Sequence, residues 1–159
     1  MSETVRIWVE ISHSPAFRAG GWAFVRAEGR ALSGAAGGER TASPDAIALA
    51  GLLAALADLP PKAAVEVASA TARIAGAGRT AAALQASGEP AEHDAALWAQ
   101  LAAVLTARPV RFAAATSQPR TPSPFAAAWA ELARDKAKTS PFRAAIPKVN
   151  LAKAGAPAA

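Results

Sequence analysis

Along the first positions of the chain Val5, Ile7, Val9 and Ile11 alternate with Arg6, Trp8 and Glu10. A period of two predicts a strand with one strongly apolar face. HSPAFRAGG at 13–21 carries turn chemistry, and WAFVRAEG at 22–29 predicts a second strand ending in a Glu28-Gly29 turn. RALSGAA at 30–36 extends the pair to an antiparallel meander, which Gly37-Gly38 closes. The period then changes. Ser43 as N-cap, Pro44 at the first helical position and Asp45 in the first turn open a helix. Ile47, Leu49, Leu52, Leu53 and Leu56 recur at helical spacing until Leu59-Pro60-Pro61 ends it. AVEVA at 64–68 predicts a short strand, 71–77 one or two helical turns, and 79–92 a polar, irregular stretch. Leu97, Trp98, Leu101, Val104 and Leu105 mark a second amphipathic helix from near Asp94, stopped by Pro109, and VRFAAA at 110–115 a further strand. After the Pro- and Ser-rich TSQPRTPSP at 116–124, Ser123 as cap and Pro124 open a third helix that turns Phe125, Trp129 and Leu132 inward. From Lys136 onward the chain reads as an extended tail. This order predicts an α/β fold, a mixed five-stranded sheet flanked by helices: a three-stranded antiparallel meander plus parallel strands.

Composition narrows the classes. A chain of 159 residues, 52% hydrophobic and 18% charged, makes one domain with a sizeable core and excludes a wholly disordered polymer. No window reaches the roughly 18 uninterrupted apolar residues of a membrane helix. MSETVRIWVEIS has neither the basic stretch nor the apolar run of a secretory leader, so the expected location is the cytoplasm, away from membranes. The absence of cysteine excludes disulfides, thiolate zinc sites and cysteine nucleophiles. The net charge of +5 is unevenly placed: residues 1–135 are neutral, and the surplus is Lys136, Lys138, Arg143, Lys148 and Lys153. The expected organisation is a folded domain over 1–135 and a basic, Pro- and Ala-rich tail over 136–159.

Several segments, taken in order, resemble the ribonuclease H family over about residues 4–135. VRIWVEISHSP followed by AGGWAFV is similar to its first hairpin, in which the first strand carries a catalytic aspartate. SPDAIALAGLLAAL is similar to its first helix, VEVASATARI to its fourth strand and the turn beyond, DAALWAQLAAVL to the helix before its fifth strand, and AWAELAR to its last helix. The family hydrolyses RNA in RNA–DNA hybrids with two metal ions roughly 3.5–4 Å apart. Hard cations of this kind need several carboxylate oxygens in place of water. Matched position by position, the family's four carboxylates fall here on Glu10, Ala48, Ala70 and Ala130. A methyl group cannot coordinate Mg²⁺, and Glu131 is about 100° around the helix from Ala130. The resemblance therefore implies a pseudoenzyme: a ribonuclease H-like protein without a magnesium site, metal or other cofactor.

Glu10 is either a polar strand residue paired with Arg6 or Arg73, or a remnant ligand with Asp45 as its partner in a residual hybrid nuclease. The segment matching the family's basic protrusion, GRTAAALQASGEPAE at 78–92, has one arginine and two glutamates. The 116–124 loop lacks the histidine found there in many relatives. His13 reads as a surface residue in a turn, and His93, beside Asp94, as a helix-start residue. Trp22, Trp98 and Trp129 fall on core faces, whereas Trp8 is expected to be partly exposed beside Glu10. What survives for nucleic acid is the tail, whose five cations are the expected contacts to RNA or DNA phosphates. A protein-interaction or scaffold role, including self-association, is the contrasting class.

Overall fold

A computed structural model describes residues 4–40 and 42–155. The first three residues, Thr41 and the last four residues of the segment read as tail lie outside it. Three strands, β1 (Thr4–Ser14), β2 (Ala19–Glu28) and β3 (Ala31–Arg40), form the antiparallel meander, and α1 (Pro44–Ala55) follows. Next come β4 (Ala64–Ser69), the short α2 (Ala72–Ala75), α3 (Ala77–Ser87), α4 (Ala95–Ala107) and β5 (Val110–Ala114). The chain then forms α5 (Pro122–Ala137), β6 (Phe142–Ala145) and α6 (Lys148–Leu151). The sheet has six strands in the order β5-β4-β1-β2-β3-β6. β4 runs parallel to β1 and to β5, while the other neighbours are antiparallel. Among the described residues no helix is long and apolar enough to cross a membrane.

The alternation seen in β1 sorts two cores onto opposite faces of this sheet. Val5, Ile7 and Val9 pack with Trp22, Phe24 and the α1 residues Ile47, Leu49 and Leu52. Trp8 points the other way, with Ala23, Val25 and the α5 residues Ala126, Ala130 and Ala133. Ser43 caps α1 as its sequence implies, accepting the Ala46 N–H at 3.0 Å. Trp8 is buried rather than partly exposed, with the Arg6 guanidinium over its ring at 5.1 Å.

Three differences from the sequence reading have clear physical causes. Residues 79–87, within the stretch expected to be irregular, belong to α3. Its alanines favour helix, but only Ala77 and Ala81 are buried, so no apolar stripe advertises it. Gly37 and Gly38 do not close the meander; they continue β3 opposite Trp22 and Gly21. A Cβ on Gly38 would stand 2.6 Å from the Ala133 carbonyl oxygen, so this glycine marks a close approach rather than a turn. Thirdly, the fully buried positions of α5 are alanines: Ala126, Ala130, Ala133 and Ala137 are buried, Phe125 and Trp129 pack partly buried against the same core as expected, and only Leu132 of the expected set is exposed.

The fourth difference concerns the segment after residue 135. It is not an extended arm. α5 continues to Ala137, β6 adds the sixth strand beside β3, and Ile146, Leu151 and Ala154 are buried in the α5-side core. The apolar residues that the tail carries among its cations are what dock it. Leu151→Ala is expected to cost about 2–3 kcal/mol, whereas Val149→Ala, at a neighbour 72% exposed, stays within about 0.5 kcal/mol. Denaturant unfolding of the two variants checks this, and equal small losses would mean that the segment is detached.

Candidate functional site

The parallel register pairs Trp8 with Ala68, so Glu10 stands just beyond the C-terminal end of β4, on the α5 face. It is 2% exposed. Oε1 accepts hydrogen bonds from the Ser69 hydroxyl at 2.9 Å and the Thr71 hydroxyl at 2.8 Å. Oε2 accepts the Ala70 backbone N–H at 2.8 Å and the hydroxyl of Ser123. Ser69 also accepts the Thr71 N–H at 3.0 Å, which holds the turn after β4 in place. A carboxylate has about four lone-pair sites. All four are engaged here by donors from β4, the turn before α2, and α5. Such bonds to an ionised acceptor are the stronger kind.

Neither arginine expected as a partner reaches Glu10. Arg6 lies 3.9 Å from Glu66, and Arg73 pairs with Asp45. Asp45 thus belongs to an exposed ion pair joining α1 to α2. His13 bonds through Nε2 to the Ala42 carbonyl at 3.0 Å. His93 is exposed beside Glu92.

The four positions matched to catalytic carboxylates do not converge as acids. Ala70 reaches Glu10 only through its backbone N–H. Ala48 is buried in the α1-side core. Ala130 is fully buried under α5, where a Cβ on Gly21 would stand 2.1 Å from its carbonyl oxygen. The α5 residue that faces Glu10 is Ser123, seven positions earlier and so about 10 Å nearer the helix start. Ser123 is not the helix cap; that position is Thr121. No local pattern points to Ser123, since its role depends on a residue far away in sequence. Among the described residues no three His, Cys, Asp or Glu side chains group as a metal site would require. A pair of hard cations needs several carboxylate oxygens with lone pairs to give, and the donors around Glu10 do not fit such a pair.

A cleft of about 330 Å³ opens beside this network, lined by Arg6, Trp8, Glu66, Thr116, Thr121 and Ser123 among others. Glu10 is not part of its wall. The cleft therefore presents hydroxyls and an Arg–Glu pair, not an acid cluster.

No family model matches the chain, and no curated protein matches it. Solved structures do. LC9-RNase H1, a type 1 RNase H with the type 2 active-site motif, superimposes with a TM-score of 0.69 at 11% identity, covering 98% of this chain and 87% of that one. The fold is that of a ribonuclease H domain. The N-terminal RNase H domain of Rv2228c from Mycobacterium tuberculosis, solved as a fusion with maltose-binding protein, gives a TM-score of 0.59 at 21% identity. It covers 87% of this chain, which covers 99% of that domain. At such identities the ribonuclease H-like fold is what is shared.

The five tail cations are spread over an ordered surface. Lys136 Nζ lies 5.7 Å from the centre of the Phe142 ring, and the Arg143 guanidinium lies 5.5 Å from that of Trp22. Lys138 bonds Asp135 at 3.2 Å and lies over Phe17. Lys148 and Lys153 are exposed. The hydrogen bonds from Lys138 and then Arg134 hold the Asp135 carboxyl below the usual carboxylate range.

Proposed function

We propose that this ribonuclease H-like domain is a cytoplasmic pseudoenzyme that binds RNA or DNA weakly through Lys136, Lys138, Arg143, Lys148 and Lys153, without hydrolysing it and without a metal cofactor. One observation carries the non-catalytic reading. The single acid at the matched positions, Glu10, spends its lone pairs on Ser69, Ala70, Thr71 and Ser123, so it has none to give a metal ion. The charge distribution supports the binding half: the body is neutral, and the surplus lies on the C-terminal segment.

Incubation with an RNA–DNA hybrid and Mg²⁺ or Mn²⁺ is expected to give no product above a protein-free control. Cleavage that EDTA abolishes would overturn the reading. Binding to hybrid is expected to be weak and steeply salt-dependent. With at most five phosphate contacts, the slope of log K against log salt should be no steeper than about −4.5. Because this segment is part of the fold, its cations should be tested by substitution with glutamine rather than by truncation. Unchanged affinity in the fivefold variant would refute their role, and a stoichiometric protein partner recovered without nucleic acid would favour a scaffold.

A further inference from the structure

The tip of the β1–β2 hairpin, the C-terminal end of α5 and the start of β6 meet at one end of the sheet. Phe17 stands at the hairpin tip and is 60% exposed. The turn that presents it is closed by the Arg18 N–H on the Pro15 carbonyl at 3.3 Å, with Arg18 at φ 50°. Lys138 Nζ lies 4.4 Å from the centre of the Phe17 ring, and two residues earlier on α5 Lys136 lies over the Phe142 ring. Arg134 braces the hairpin from α5, donating from Nη1 to the Ser12 hydroxyl at 2.7 Å. The acid of the group, Asp135, is taken up by Arg134 and Lys138.

Two properties of this surface exceed what packing requires. A large aromatic ring is left mostly in water at a turn, where it contributes little to either core. Lys138 lies over it and Arg18 follows it in the turn, and an ammonium over a ring still has N–H groups to offer an anion. An exposed ring flanked by cations is the arrangement that holds single strands: an unpaired base stacks on the ring and the backbone runs over the charges. A duplex keeps its bases stacked on each other and offers the ring nothing.

We propose that this hairpin-tip surface is a binding site for single-stranded nucleic acid, with an unpaired base stacked on Phe17 and phosphates held by Arg18, Lys136 and Lys138. It rests on the reading that the chain binds nucleic acid, and it adds both the place and the strandedness. Residues from the neutral body thereby join the tail cations.

Fluorescence anisotropy with a labelled oligothymidylate of about 15 nucleotides, and with a duplex of the same length, tests it. The wild-type chain should prefer the single strand. Phe17→Ala should weaken single-strand binding at least about fivefold, leave duplex binding within about twofold, and leave the thermal melt unchanged. Phe17→Trp should preserve or tighten single-strand binding. Lys136→Gln and Lys138→Gln should each flatten the single-strand salt slope by about 0.7. Arg79→Gln, an exposed arginine on α3, should not. Single-strand binding that survives Phe17→Ala overturns this site alone. A wild-type chain that binds no nucleic acid overturns it together with the reading it rests on.

Discussion

Glu10→Ala is expected to lower the melting temperature by about 10 °C, the equivalent of about 3–4 kcal/mol for a chain of this size. The loss follows from what the side chain satisfies. Removing it leaves the hydroxyls of Ser69, Thr71 and Ser123 and the Ala70 N–H without their acceptor. The buried Ser69 and Ser123 donors cost about 1–3 kcal/mol each when left unpaired, part of which rotating hydroxyls recover, while the part-buried Ala70 N–H and Thr71 hydroxyl can turn to water. Glu10→Gln should cost less, because the amide oxygen can still accept the Ala70 N–H while the NH2 faces the Ser69 and Thr71 hydroxyls, which can rotate to accept. The sign of the effect is diagnostic. In a cluster of carboxylates poised for metal, like charges repel, and deleting one relieves the repulsion in the metal-free protein. Here the acid is surrounded by donors, so its deletion should destabilise, equally with and without Mg²⁺. A calorimetric melt of Glu10→Ala that rises, or that responds to Mg²⁺ differently from wild type, would return Glu10 to the role of ligand.

Gly21→Ala should be the most damaging single methyl added to this sheet, costing at least about 3 kcal/mol. The new Cβ would stand 2.1 Å from the Ala130 carbonyl oxygen and 2.4 Å from the Arg134 nitrogen. Both are helix backbone, so no side-chain rotation relieves the clash. The helix must lift from the sheet, and that movement also withdraws Ser123 from Glu10. Ser33→Ala, on an exposed position of β3, is the matched control and should stay within about 0.5 kcal/mol. Urea midpoints of the two variants decide it; a Gly21→Ala midpoint equal to wild type would mean that α5 does not sit this close. The same closeness explains why α5 buries alanines. Their short side chains let the helix backbone settle onto Gly21 and Gly38, and larger residues would hold it away.

Much of the fold is legible along the chain because it is built from near-neighbour patterns. The alternation at Val5, Ile7 and Val9, the Ser43-Pro44-Asp45 helix start and the Leu97–Leu105 stripe each report an element through residues a few positions apart. α3 escaped because a helix with only Ala77 and Ala81 buried has almost no stripe to read. The alanine face of α5 carries no such signal. Phe125 and Trp129 pack beside the core as their size predicts, but the space over Gly21 and Gly38 admits only methyl groups, and Leu132 faces outward.

By itself the sequence determined most of the element types, the ribonuclease H-like order and the placement of the surplus charge, and it singled out the acid Glu10. Only the tertiary structure decided what that acid does. Its partners lie 59, 60, 61 and 113 residues away, and no periodicity relates positions so far apart. They meet because β4 and β1 run parallel in register and α5 lies tight against the sheet. The tail was decided in the same way. Its cations suggest an arm in solvent, but Ile146, Leu151 and Ala154 find an uncovered apolar surface beside α5. Burial there outweighs the freedom that a basic, proline-bearing segment would otherwise keep.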